Sequence, residues 1–243
     1  MAEPPALTTL RDRLGALTQA RVLLGRAGQG LPTRALLDFQ LDHARARDAV
    51  HTALVPAGFA EAVNRPVIEV RSRARTRGEY LKRPDLGRLL DPDDVARLPA
   101  NGDELAIIVA DGLSATAVHR HAASLVVALL ERLSGWRIAP IVLATQGRVA
   151  LGDAIGEALA ADCALALIGE RPGLSAPDSL GAYVTWQPRI GRMDSERNCV
   201  SNIRPPHGLS YAGAADAIAA LLTAARTHRL TGIKLRGVLT PPG

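Results

Sequence analysis

The chain is 243 residues long, 47% apolar and only 3% aromatic, and carries a net charge of +5 at neutral pH. That length and apolar content allow a sizeable α/β core, and no apolar run approaches the roughly 18–20 residues of a membrane span; Met1–Leu10 also lacks a signal-like start, so a soluble intracellular protein is expected. Two cysteines, Cys163 and Cys199, exclude a disulfide framework and any CxxC motif, and the few aromatic stacking platforms argue against a nucleic-acid binder.

In chain order, Met1–Leu10 reads as a flexible lead, and Leu10, Leu14, Leu17 and Val22 suggest a modest helix over Leu10–Leu24. GRAGQGLP is a turn, after which Thr33 offers an N-cap for an amphipathic helix to about His51. That helix has few large apolar residues, so it is expected to dock on something else rather than fold alone. VIEVRSRARTRGEYLKRPDLGRLL reads as helical until Pro84 interrupts it. The basic excess lies mainly in residues 1–100, notably Arg71, Arg73, Arg75 and Arg77, and is nearly all arginine; an acidic protein partner explains it at least as well as DNA.

A cleaner α/β alternation follows. Glu104–Ala110, Ile138–Thr145 and Cys163–Gly169 are short continuous apolar runs, as parallel strands covered on both faces require. Between them, Ser114 caps a helix to about Leu133, and Leu151–Ala161 form a shorter one. Tyr211–Arg229 is helical behind Ser210, Ile233–Arg236 reads as a last strand, and Thr240–Gly243 as a disordered tail. The order predicts a Rossmann-like parallel sheet flanked by helices, behind a helical N-terminal segment. Residues 1–60 form the segment and 61–243 the α/β domain.

In such a sheet DGLS, QGRVALGD and GERPGLS leave the strands along one edge, where open α/β folds bind ligands. The chain has no P-loop, no GxGxxG behind a strand and no nucleophile elbow around Ser114. The six histidines lack metal-ligand spacing and read as surface or capping residues. Asp111 and Asp153 read as caps or partners of Arg148 and Arg171. Glu170, set among glycines in GERPG, reads equally well as a structural acid or a ligand-binding one. Cys163 reads as core. Arg197, Asn198 and Asn202 surround Cys199 in a polar run without periodicity, which suggests recognition rather than packing.

The motifs ARVLLGRAGQGLPTRALLDFQLDHARARDAVH, RPDLGRLL, VADGLSATAV, LATQGRVALGDAIGEALAA, LIGERPGLSAPDSLGAYVTW, DSERNCVSNIRP and HGLSYAGAA, in this order, resemble the light (small) subunit of ethanolamine ammonia-lyase. The resemblance implies a hetero-oligomer with a large catalytic subunit, which uses adenosylcobalamin to convert ethanolamine to acetaldehyde and ammonia by a radical route. It implies cofactor contacts at Val149, Glu170 and Cys199, with no catalytic residue on this chain and no metal ligand. It also implies a cytoplasmic location, free or inside a bacterial microcompartment. On the residues alone, a stand-alone nucleotide-binding or small-molecule Rossmann-like protein is the main rival, and a basic nucleic-acid binder stands third.

Overall fold

The computed structural model describes residues 5–18 and 20–239. Six strands form one sheet: β1 (Val67–Arg71), β2 (Leu105–Ala110), β3 (Ile141–Thr145), β4 (Cys163–Gly169), β5 (Leu180–Trp186) and β6 (Asn198–Ile203), in the spatial order β1-β3-β2-β4-β5-β6. The first four are parallel, and β5 and β6 extend them antiparallel. β2 and β4 are buried along their whole length because helices cover both faces.

Alternation along β2 and β4 separates two unlike faces. Leu105, Ile107, Val109, Leu165 and Leu167 point one way, into a large apolar cluster with α7 (Ala123–Arg132) and α9 (Tyr211–His228). Ala106, Ile108, Ala110, Ala164 and Ile168 point the other way, toward α8 (Leu151–Ala158). Alanines on that face let α8 approach closely through its own glycines: a Cβ on Gly152 would lie 3.1 Å from the Ala166 Cβ. The connection from β2 to β3 therefore crosses one face and that from β3 to β4 the other.

The remaining helices are α1 (Pro5–Leu17), α2 (Thr33–His51), α3 (Phe59–Val63), α4 (Arg77–Lys82), α5 (Pro92–Val95), α6 (Ala115–Ala117) and α10 (Ile233–Leu239). Ser114 and Ser210 cap as expected, accepting from the backbone N–H groups of Ala117 and Gly213. Between α6 and α7 the chain makes a π turn over Val118–Ala122. None of the described helices is long and apolar enough to cross a membrane.

Several expectations need correction. The lead is helical from Pro5, and the first helix ends at Leu17 rather than Leu24; residues 1–4 and 240–243, including the expected tail, lie outside the described residues. Pro32 rather than Thr33 occupies the N-cap of α2. Val67–Arg71 is strand, not helix, because it pairs residue for residue with β3 at the sheet edge; helix begins only at Arg77 behind the Thr76 cap. α8 ends at Ala158. Ile233–Arg236 lies in α10, with Leu235 buried in the α7–α9 cluster. The arginine run is largely satisfied within the chain: Arg71 and Arg75 pair with Asp91, both at 2.8 Å, and Arg77 pairs with Asp111.

Candidate functional site

The loops behind β2, β3 and β4 meet where the two crossovers diverge to opposite faces, as the strand order requires of a ligand crevice. Two glycines set the floor. Gly112 has a φ of +54°, and a Cβ there would run into the Gly169 carbonyl; a Cβ on Gly169 would run into the Ser114 carbonyl. Only glycine lets the β2 and β4 loops touch in this way. The resulting concavity has a volume of about 410 Å³ and is walled by Tyr80, Leu113, Arg148, Val149, Glu170 and Tyr183, among others.

Tyr80 is fully buried and donates to the Gly147 carbonyl at 3.0 Å. Two guanidinium groups approach its ring, Arg77 at 4.8 Å and Arg148 at 4.5 Å from the centroid. Burial drives the Tyr80 phenol well above its ordinary pKa, so it stays protonated. Asp111, behind it, accepts from Arg77 at 3.0 Å and from the Gly147 N–H at 3.1 Å. Burial nevertheless outweighs Arg77 and the backbone donors and pushes the Asp111 carboxyl up to about 6.

On the opposite wall, Glu170 Oε2 accepts from the Ser179 hydroxyl and from the Asn202 N–H. Oε1 lies over Gly181, whose missing side chain makes the room, and has no partner among the described residues. Tyr183 and Cys199 are register partners across β5 and β6. Burial, with Cys199 and Glu170 beside it, pushes the Tyr183 phenol up to about 12. The surrounding packing also raises the Cys199 thiol.

Of the three residues singled out from sequence, Val149 and Glu170 line the concavity directly. Cys199, exposed on the edge strand, does not itself line it; it is the cross-strand partner of Tyr183, which does. Two readings of neighbouring residues change. The segment around Cys199 is an edge strand, not an irregular recognition loop. Arg197 is a buried partner of Asp153, joining α8 to the segment before β6, and Asn198 bonds both backbone groups of Gly232. Accordingly, Asp153 pairs with Arg197 and Asp111 with Arg77, rather than with Arg148 or Arg171.

The loop from Glu170 to Ser179 is pinned at its far end. Ser114 donates to the Pro177 carbonyl at 2.8 Å, and Asp178 accepts from Arg120 at 2.7 Å. His121 is buried, not a surface residue as expected; its Nδ1 lies 2.9 Å from the Tyr211 hydroxyl, and burial lowers its pKa. His119 accepts from the Val55 N–H at 2.9 Å. A second, larger hollow of about 800 Å³ lies between α2 and this loop, but its arginines Arg45, Arg120 and Arg204 face Asp42, Asp48 and Asp178. Its charges cancel locally.

Sequence reasoning missed Tyr80 and Tyr183 as wall residues. Tyr183 lies in LGAYVTW, a run that could have been read as a strand; Tyr80 reaches the site through the tertiary fold and has no local signature.

A family model described as "Ethanolamine ammonia-lyase light chain (EutC)" matches residues 9–236. A protein of Azotobacter vinelandii named ethanolamine ammonia-lyase small subunit is 52% identical, over 96% of this chain and 90% of its own length. One of the same name from Rhodopseudomonas palustris is 53% identical, over 97% and 93%. Another, from Xanthomonas campestris pv. campestris, is 49% identical over 92% and 86%.

Proposed function

Since the chain belongs to the ethanolamine ammonia-lyase light-chain family, we propose that it is the subunit that closes over one edge of adenosylcobalamin beside a large catalytic subunit. The observation that carries this reading is the convergence of Val149, Glu170 and Tyr183 on one concavity at the strand ends, with Cys199 paired to Tyr183 on the neighbouring strand. A corrinoid is far larger than about 410 Å³, so the concavity would take only part of it, in keeping with a ligand shared between two chains.

The residues suit a rim of amide side chains. Glu170 Oε1, free of other partners among the described residues, would accept from an amide N–H, with Ser179 and Asn202 holding the carboxylate in place. Tyr183 and Cys199 stay protonated and offer donors beside it. Val149 supplies apolar packing and backbone groups. When bound, the cofactor supplies the radical that starts conversion of ethanolamine to acetaldehyde and ammonia; this chain orients the corrin edge and keeps water from it. The N-terminal segment, residues 1–60, would dock on the large subunit. Leu36, Leu37, Phe39 and Leu41 of α2 are exposed on the chain by itself, which supports that role.

The chain alone should show no ammonia-lyase activity, and co-expression with the large subunit should restore it. In the complex, Glu170→Ala removes one hydrogen bond to a neutral group, worth about 0.5–1.5 kcal/mol, and should weaken cobalamin binding about threefold to tenfold while leaving assembly intact. Turnover by the purified chain alone, or unchanged cofactor affinity in Glu170→Ala, would overturn the reading.

A further inference from the structure

Two cations of the concavity have no ion-pair partner among the described residues. Arg148 makes no ion pair among the described residues; its guanidinium rests on the Tyr80 ring, and its Nε, shut off from solvent, has no acceptor. The loop holds it there from below, because the Arg148 N–H donates to the Gly87 carbonyl at 2.7 Å. Close packing around Gly87 leaves the Arg148 stem little freedom: a Cβ on Gly87 would lie 2.7 Å from the Tyr80 ring and 3.1 Å from the Arg148 side chain.

Arg171, exposed on the opposite lip, also makes no ion pair among the described residues. The neighbouring Arg77 is neutralised by Asp111, so the charges facing the cavity are Arg148 and Arg171 against Glu170. The concavity thus carries a surplus of one positive charge. Glu170 is already engaged by Ser179 and Asn202 and makes no ion pair with either arginine among the described residues.

We propose that Arg148, with Arg171 on the opposite lip, is the anion-holding element of this cavity and takes the phosphodiester of the corrinoid's nucleotide tail; this rests on the reading that the cavity receives an edge of cobalamin. A cobalamin is ringed by neutral amides and carries a single anionic substituent, that phosphodiester. A guanidinium matches two phosphate oxygens with two parallel N–H donors, which a lysine cannot do. The Tyr80 ring, 4.5 Å from the guanidinium carbon, and the close packing at Gly87 confine the Arg148 side chain before the ligand arrives, so little side-chain freedom remains to be lost on binding.

The test is equilibrium binding to the apo complex of both subunits, followed by corrin absorbance after ultrafiltration. Two ligands are compared: cyanocobalamin, and cyanocobinamide, which keeps the corrin amides but lacks the phosphodiester, ribose and base. Arg148→Met should weaken cyanocobalamin about tenfold to a hundredfold, as loss of a charge-assisted contact does, and leave cyanocobinamide within about twofold. Arg148→Lys should recover part of the loss. With the unmutated complex, excess inorganic phosphate should compete with cyanocobalamin and leave cyanocobinamide unaffected; this arm decides the matter if Arg148→Met fails to assemble. Equal losses for both corrinoids, or no competition by phosphate, would overturn the assignment. Unchanged cyanocobalamin affinity in Arg148→Met alongside a weakened Glu170→Ala refutes only the role of Arg148. A Glu170→Ala complex that binds both corrinoids normally refutes the reading of the cavity itself.

Discussion

Asp153→Asn should be among the most damaging single changes in this chain, although it alters few atoms. Asp153 sits in α8 and Arg197 just before β6, and their side chains are only 3% and 2% exposed. The pair ties the helix on the alanine-lined face to the antiparallel edge of the sheet. Asparagine keeps the shape but removes the charge, leaving the Arg197 guanidinium with the Arg192 carbonyl and with Asp194, which is 88% exposed and therefore screened by water. Arginine cannot escape by losing its proton. Breaking a buried pair in this way costs about 3–5 kcal/mol. For a chain of this size, about 2–4 °C of melting temperature per kcal/mol makes that a drop of about 6–20 °C.

The reverse change, Arg197→Met, should cost less. Burial already holds the Asp153 carboxyl above its ordinary range, and without Arg197 it can take up a proton. A carboxyl whose folded pKa is raised binds more protons folded than unfolded, so its ionised form loses stability as pH rises; Arg197→Met should regain stability as pH falls from about 7 toward about 5, and Asp153→Asn should not. Urea unfolding of the full chain, followed by circular dichroism at both pH values, measures this. If Asp153→Asn lies within about 1 kcal/mol of the unmutated chain, or Arg197→Met is the more damaging of the two at both pH values, the buried-pair argument is refuted.

Asp111 should titrate in the folded chain with a midpoint near 6, readable from its carboxyl carbon by NMR. Because that value lies above the unfolded one of about 3.9, this group's contribution to stability is full at low pH and declines as pH rises through about 4 to 6; Asp111→Asn should flatten that slope, and a midpoint at or below about 4 would show that Arg77 outweighs burial. Thiol titration of the denatured, unreduced chain should find both cysteines. In the folded chain Cys199 should react and Cys163 should not, since Cys163 is wholly buried in the core; equal native reactivity would contradict that placement.

What the sequence determined by itself was everything that one segment's own pattern encodes. β2 and β4 are unbroken apolar runs because both faces are covered, and such runs are visible before any partner is known. Ser114 and Ser210 cap as read, because capping is settled within four residues. The parallel order followed from alternation, and with it the edge where the loops of Val149 and Glu170 meet. Segments that depend on distant partners escaped. Val67–Arg71, β-branched at three of five positions, reads as helix only when joined to the stretch that follows it; pairing with β3 makes it an edge strand. Asn198–Ile203 looks irregular because one side of an edge strand faces water, and its hydrogen bonds to β5 are what make it a strand. Ile233–Arg236 could have been either until α9 gave Leu235 a place to pack. Charge pairing was decided last of all. Asp111 chose Arg77 from 34 residues away and Asp153 chose Arg197 from 44 away, which leaves Arg148 beside Tyr80 with no ion-pair partner among the described residues. An ion pair is a distance in space, and only the tertiary structure brings its two partners together.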